Sequence, residues 1–202
     1  YIRNFESDRA RFQMLNFPLR QAGQSSQLEA WKSGQTNPMQ SAFYEAQPAE
    51  ELYDTLKDPH EVNNLAATRP KELSRMQALL KNHILSSRDL GFIPEPMMEA
   101  VDMDPAQTIY TFGQSAERYP LERVLEVATV ASEGRPANLP RLITALKDDN
   151  AIVRYWGAIG LRILGPEAAS AKGVLENAVE DSEPSVRIIA MTALGKFGHR
   201  EE

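Results

Sequence analysis

The sequence predicts an α+β first region with a small antiparallel sheet, followed by an all-α region built as a helical solenoid. Three observations carry this. Strand-like alternation is confined to "YIRNF" (Tyr1–Phe5) and "EELYDTL" (Glu50–Leu56). Prolines and glycines crowd the stretch from Gly91 to Pro120. Beyond Pro120 a helical pattern recurs at a fixed period, Val153-Arg154 returning as Val186-Arg187. The expected divisions are therefore a subdomain over 1–90, a linker or strap over 91–120, and helical repeats over 121–202.

In chain order, "YIRNF" suits a half-buried strand, and two to four antiparallel strands are expected in this region. "SSQLEAWKSG" (Ser25–Gly34) reads as a short helix around Ser26–Lys32, with a serine cap and Gly34 as its stop. In "EELYDTL" a strand would send Leu52 and Tyr53 to opposite faces. "DPHEVNNLA" reads as a turn, with Pro59 setting φ after Asp58 and Asn63 or Asn64 bonding local backbone or tolerating an unusual φ. An amphipathic helix follows over Pro70–Asp89, with Leu73, Met76, Leu80 and Ile84 on one face. From Gly91 onward, Pro94, Pro96, Pro105 and Pro120 with Gly91 and Gly113 argue against continuous regular structure. Phe92, Ile93, Tyr110 and Phe112 are too apolar for a free tether, so this strap packs over a neighbour.

The repeat is ungapped. "ALKDDNAIVRYWGAIGLRILG" (Ala145–Gly165) lies over "AVEDSEPSVRIIAMTALGKFG" (Ala178–Gly198), matching Asp148 to Asp181, Arg154 to Arg187, Leu161 to Leu194 and Gly165 to Gly198. "LERVLEVATVASEG" (Leu121–Gly134) is a more divergent preceding helix. The expected core is Ile152, Val153, Ile159, Leu161 and Leu164 in one unit and Val186, Ile189, Ala190, Leu194 and Phe197 in the next. Asp148 and Asp181 fall at turns where a carboxylate can cap exposed N–H groups. Arg154 and Arg187 can reach those carboxylates as a structural ladder, or stand as a ligand-binding row; both uses are open. Arg154, Tyr155 and Trp156 are consecutive, so one side of a helix cannot bury all three. At least one aromatic lies at the edge of the stack, available to the first region, the strap, another protein or a glycan, and the first region or the strap is favoured.

Composition excludes several classes. A net charge of −6 argues against nucleic acid, whose affinity needs phosphate neutralisation by Lys and Arg. No apolar run is long enough for a membrane span. With no cysteine the chain has no disulfide, thiolate site or cysteine nucleophile. It starts at Tyr1 without a leader, and is expected to be a piece of a longer protein.

"PAEELYDTLKDPHEVNNLA" (Pro48–Ala66) closely resembles the segment near the carboxyl end of sulfatases, the alkaline-phosphatase-like sulfuric ester hydrolases. The matching residues are Glu51, Leu52, Tyr53, Asp54, Asp58, Pro59, Glu61, Asn63, Asn64, Leu65 and Ala66. "LEAWKSGQ" and "FYEAQPAEELYD" are similar to the heparan N-sulfatase-like bacterial branch, and the resemblance covers about residues 1–90. Over roughly 121–198 the Asp, Val-Arg and closing-Gly spacing resembles HEAT-like repeats. The sulfatase resemblance implies the last strand of a small sheet, a tight turn and the start of a C-terminal helix. It also implies a parent with an N-terminal catalytic domain, periplasmic or secreted, acting on sulfated glycans such as polysaccharides. That domain would hold calcium and a formylglycine made from a Cys or Ser in a Cys/Ser-x-Pro-Ser/Ala-x-Arg motif.

No catalytic, cofactor-binding or metal-ligating residue is carried over, on the expectation that the chain has no cysteine, no Ser-x-Pro-x-x-Arg motif and no match to the family's carboxylate-rich metal cluster. His60, His83 and His199 are isolated, and the pairs Glu50-Glu51 and Asp148-Asp149 lack companion oxygens for a calcium loop and read as solvated turns. The fragment is expected to be inactive alone. Within the loop from Asn16 to Gln40, Arg20, Trp31 and Lys32 are the best candidates for a substrate entrance, a cation beside an aromatic suiting an anionic sugar. Alternatively Trp31 anchors a short helix and Arg20 is paired at a domain interface. The candidate interaction surface of the repeats is Arg154, Tyr155, Trp156 and Arg187.

Overall fold

A computed structural model describes residues 1–13, 15–104 and 106–197. Pro105, Gly198 and His199, singled out above, lie outside the described residues. The chain is mostly helical with one small antiparallel sheet, and divides into two units, 1–73 and 74–202.

In the first unit β1 (Ile2–Arg3) pairs antiparallel with β2 (Glu50–Glu51), in the register Ile2 to Glu51 and Arg3 to Glu50. Between them run α1 (Asn16–Leu19), α2 (Ala22–Lys32) and α3 (Pro38–Ser41), with an isolated bridge from Ala10 to Ala46. The second strand is shorter than expected. It ends at Glu51 because the Asn64 side chain, not a neighbouring strand, takes the Leu52 N–H at 3.0 Å.

The serine cap expected for α2 is also absent. The helix starts before Ser25, at Ala22, and Ser25 turns its hydroxyl back to the carbonyls of Gln21 and Ala22 from inside the first turn. Its far end is as expected: Gly34 takes φ +70°, and the Gln35 N–H closes on the Ala30 carbonyl at 2.8 Å. Leu28 and Trp31 face inward, where Trp31 stacks on buried Tyr44 with ring centroids 5.1 Å apart, and Phe12 meets Tyr44 at 4.9 Å.

α4 (Pro70–Ser87) matches the predicted amphipathic helix, and Ile84 is its buried residue. The stretch after it is more regular than its prolines suggest, containing α5 (Glu95–Asp102) and α6 (Ile109–Gln114). Pro96 sits in the first turn of α5, where a missing N–H has no partner to lose, and Thr108 and Thr111 cap α6 reciprocally. Within this stretch Phe92 and Ile93 are buried while Tyr110 is exposed.

Among the described residues five α-helices complete the second unit: α7 (Leu121–Ser132), α8 (Leu139–Ala145), α9 (Ala151–Leu164), α10 (Lys172–Ala178) and α11 (Pro184–Lys196). The pair α10–α11 repeats α8–α9 at the sequence period, and the helix starts keep the same register: Leu139 matches Lys172, and Ala151 matches Pro184. The described strands all lie before Leu52. Ile152, Val153, Ile159, Leu161 and Leu164 are buried, as are Val186, Ile189 and Ala190, whereas Leu194 and Phe197 are half-buried. Gly157 and Gly160 let α8 lie directly on α9. A Cβ at Gly157 would stand 2.7 Å from the Leu146 nitrogen and 3.1 Å from the Leu142 oxygen, and one at Gly160 would collide with the Leu142 side chain.

Candidate functional site

Three places gather chemistry-bearing side chains: the small sheet of the first unit, the helix starts of the second, and a groove between α7 and α8.

In the sheet Glu51 is 3% exposed, not a solvated turn residue. Its carboxylate accepts from Asn4 Nδ2 at 2.8 Å, from Arg11 Nη2 at 2.9 Å, and from the Tyr53 hydroxyl. Burial alone would push its acid up, but the hydrogen bonds from Tyr53, Asn4 and Arg11 outweigh that and hold it below the ordinary range. Tyr53, desolvated and donating to that carboxylate, is pushed up to about 12. Beside it Glu50 accepts from the Tyr1 hydroxyl at 2.7 Å and pairs with Arg3 at 3.1 Å. Strand pairing turns both glutamates onto partners far away in sequence, so two adjacent acids look solvated when they are not.

The turn is built by two side chains. Asp58 Oδ2 accepts the N–H groups of Val62 (2.9 Å) and Asn63 (2.7 Å), which lowers its acid. Asn64 Oδ1 accepts from Leu52 and Ala66, and its Nδ2 donates to the Glu50 carbonyl at 3.0 Å. Asn64 thus bonds local backbone as expected, while the positive φ that Asn63 or Asn64 could have tolerated falls on Glu61, at +52°.

The three candidates for a substrate entrance are not brought together. Arg20 is exposed ahead of α2, and Trp31 and Lys32 end that helix, about 16 Å further along its axis. Trp31 is half-buried on Tyr44, and Lys32 faces Glu29 of its own helix at 3.5 Å. Within α2, Trp31 acts as an anchor of the helix.

In the second unit the aspartates do not cap the helices themselves. Asn150 and Glu183 do, Asn150 accepting from Ile152 and Val153 and Glu183 from Ser185. Asp148 and Asp181 brace those caps, accepting from the Asn150 N–H at 2.9 Å and the Glu183 N–H at 2.8 Å. The signal for the caps was present in sequence, since Asn before an apolar run is a strong N-cap. Arg154 forks onto Asp181 through Nε (2.7 Å) and Nη2 (2.9 Å), while its Nη1 donates to the carbonyls of Asp148 and Asp149. Arg187 repeats the last contacts on the carbonyls of Asp181 and Ser182. Burial would raise Asp181, but the Arg154 hydrogen bond holds it below the ordinary range, and Arg154 is raised in turn. Arg123 meets Asp148 at 3.2 Å and Asp149 at 3.3 Å. Desolvation raises Asp148, whereas the hydrogen bond with Asp148 lowers exposed Asp149.

The start of α11 also holds a letter match that sequence reasoning missed. Ser182-Glu183-Pro184-Ser185-Val186-Arg187 spells Ser-x-Pro-Ser-x-Arg, the pattern whose first residue becomes formylglycine in sulfatases. Its Glu183, Pro184, Ser185 and Arg187 already serve the helix start. Pro184 opens the helix, Glu183 caps Ser185, and Arg187 holds the Asp181 and Ser182 carbonyls. The same register in the preceding repeat reads Asp149 to Arg154 and makes the same turn without the letters.

Of the adjacent aromatics, Trp156 is 5% exposed. Its Nε1 donates to the Phe92 carbonyl at 2.9 Å, and its ring packs on Phe92 at 5.9 Å. Tyr155 is half-buried and meets Trp156 edge-on at 5.8 Å. Arg154 and Trp156 are thus engaged inside the unit.

The groove has a volume of 370 Å³. Val127 and Val130 of α7 form one wall, Pro140 and Thr144 of α8 the other, and Leu142 and Val153 contribute apolar surface at its base. Sequence reasoning missed it, because alternate turns of two different helices make it. At its rim Arg141 pairs with Glu126 at 2.6 Å.

The chain matches no family model, no curated protein and no solved structure. Its residues do not fit either group implied for the sulfatase parent. There is no cysteine to become formylglycine, the first serine of the letter match stands exposed just before the Glu183 cap with its carbonyl held by Arg187, and among the described residues no three His, Asp or Glu side chains gather as a cation site. Among those residues, too, no helix is long and apolar enough to cross a membrane.

Proposed function

We propose that the chain is the non-catalytic C-terminal part of a sulfatase-type sulfuric ester hydrolase, followed by a HEAT-like helical module that packs or binds a partner. The reading rests on one observation: the residues that carry the resemblance, Glu51, Asp58 and Asn64, converge on the second strand of the sheet and the turn that follows it. Glu51 joins β2 to Asn4 and Arg11, Asp58 builds the turn, and Asn64 clamps both ends of it. A sheet of two short strands is marginal by itself, which favours a platform that completes a larger body. In this reading the parent's catalytic domain, with its formylglycine and calcium, precedes Tyr1, works on sulfated glycans, and is periplasmic or secreted. The repeated cap geometry at Asp148 and Asp181 supports the solenoid half.

The test has two parts. The gene upstream of Tyr1 is expected to encode a Cys/Ser-x-Pro-x-x-Arg motif in a long α/β region. The 202-residue chain is expected to leave 4-nitrophenyl sulfate intact with calcium present. Calcium-dependent turnover by the purified chain, free of contaminating enzyme and lost in Ser182→Ala, would overturn the non-catalytic assignment. A short or unrelated upstream region would instead favour a second reading, a protein-interaction scaffold whose solenoid is the working surface. The open groove between α7 and α8 speaks for that reading.

A further inference from the structure

The helix starts of the second unit carry a ladder of arginines whose last rung is open. Arg123 meets Asp148, and Arg154 forks onto Asp181, so each arginine takes the acid ahead of the next long helix. Arg187 is the repeat equivalent of Arg154, and its Nη1 makes the equivalent contacts, to the carbonyls of Asp181 and Ser182. Arg154 holds Asp181 through Nε and Nη2; among the described residues no acid meets those two nitrogens of Arg187.

The same helix exposes an uncharged stripe. Pro184, Ile188, Met191, Thr192 and Gly195 lie at helical spacing on α11, and Ile188 and Met191 are 57% and 49% exposed. Their repeat equivalents on α9 include Ala158 and Arg162, both buried, and half-buried Tyr155. The difference lies in the neighbours: α9 packs against both α7 and α11, whereas α11 packs against α9 and its own α10. A helix that is apolar on all sides belongs between two others.

From the open fork and the bare stripe together we infer that this face of α11 docks an apolar helix of another protein, headed by an aspartate. The inference rests on reading α7 to α11 as a repeat stack, and the stack specifies the occupant. A guanidinium edge without an acid selects a planar carboxylate. Two residues ahead of the helix cap, as Asp181 is of Glu183, that carboxylate closes the fork with the two helix starts side by side. Small apolar residues at helical spacing, as buried Val186, Ala190 and Ala193 are on α11, then lie on Ile188 and Met191.

A second copy of the chain fits less well. In a two-fold pair of α11 helices, Glu183 reaches Arg187 of the other copy only if the axis passes at Ser185, which is buried, and Ile188 then faces Ser182 instead of apolar surface. In a head-to-tail stack α7 brings charged Glu122, Arg123 and Glu126 on its exposed side, which an uncharged stripe would strip of water without partners.

The test titrates a fluorescein-labelled peptide of residues 181–196, DSEPSVRIIAMTALGK, lactam-stapled across positions 188 and 192, into the 202-residue chain and follows anisotropy. Saturable binding is expected. In the chain, Ile188→Asp and Arg187→Met should each weaken it roughly tenfold or more, whereas Leu79→Asp on exposed α4 surface leaves it unchanged. In the peptide, Asp181→Asn should weaken binding to the unaltered chain by a similar factor and change nothing for the Arg187→Met chain. Circular dichroism melts establish that the variants are folded. Ile188 is exposed and the peptide substitution leaves the chain intact, so both serve if Arg187→Met is not folded. Absent binding, full binding by folded Ile188→Asp, or an equal effect of the peptide's Asp181→Asn on both chains would overturn the inference. So would a dimer of the chain in sedimentation that Ile188→Asp dissolves, or a coding sequence beyond Glu202 that supplies an aspartate-headed helix of its own. The stack reading is judged separately by the stability of Asp181→Ala in the chain. If that variant is destabilised and the peptide does not bind, only the docking face fails.

Discussion

At the scale of single residues, ion pairs of similar appearance differ in what they contribute, and burial decides which matter. The Arg154–Asp181 fork leaves 15% and 10% of the two side chains exposed, and the Arg154 fork also holds two carbonyls. Removing Asp181 strands a guanidinium in a half-dry setting and frees the Glu183 N–H. Asp181→Ala should therefore destabilise the second unit by about 3 kcal/mol, read from urea melts. Arg123 is 46% exposed and faces two acids, so Arg123→Met should change stability by less than about 1 kcal/mol. Equal effects of the two substitutions would refute this ranking. Trp156 is the other residue on which the unit leans. It fills a buried space and satisfies the Phe92 carbonyl, so Trp156→Ala should remove about 3–5 kcal/mol. Unchanged thermal stability, with lost retention on a sulfated polysaccharide column, would mark it as a glycan contact instead.

At the scale of elements, glycine in the middle of α9 looks like a weakness and is the reason the helix pair can close. Alanine is favoured over glycine in a helix by about 1 kcal/mol, which by propensity alone makes Gly157→Ala stabilising. Yet the new Cβ would press on backbone atoms of Leu146, Ala145 and Leu142, which cannot swing aside as a side chain would. Overpacking of this kind runs to about 1–3 kcal/mol, so a net loss of stability is expected, with a lowered urea midpoint and an unchanged slope. A raised midpoint would mean that α8 shifts freely along α9. The matching positions on α11 are Ala190 and Ala193, both fully buried, so the second pair makes room for a methyl at each position where the first has none.

At the scale of the whole molecule, acid should loosen both units through different carboxylates. Glu51 and Asp181 are each held below their ordinary values in the folded state. Groups of that sign stabilise above the unfolded value, and their contribution is lost as pH falls through the folded one. Asp148 has the opposite sign, raised by desolvation, so its protonation relieves the fold on acidification and offsets part of the loss. The melting temperature is expected to be flat near neutrality and to fall below the carboxylate range, and Glu51→Gln should lower the plateau and flatten the acid limb. An acid limb unchanged in Glu51→Gln would show that the Glu51 network does not govern it.

Local information along the chain was enough for a good share of this. The repeat period, the amphipathic α4, the Gly34 stop and the buried faces of α9 and α11 all follow from side-chain spacing and backbone preference, which act over a few residues. So did the argument that three consecutive residues, Arg154 to Trp156, cannot share one face. Packing of an aromatic of that trio on the 91–120 stretch was also expected, and Trp156 meets Phe92 there. Other contacts between distant segments were beyond its reach. Strand pairing made Glu51 a buried hub, Asn64 cut β2 short, and α2 held Arg20 well apart from Trp31. The groove belongs to the same class, since its walls come from two helices that only packing brings side by side. The physical reason is common to all of them. A hydrogen bond or a packed ring forms between groups far apart in sequence only once the chain has closed that distance, and spacing along the sequence carries no record of which groups will meet.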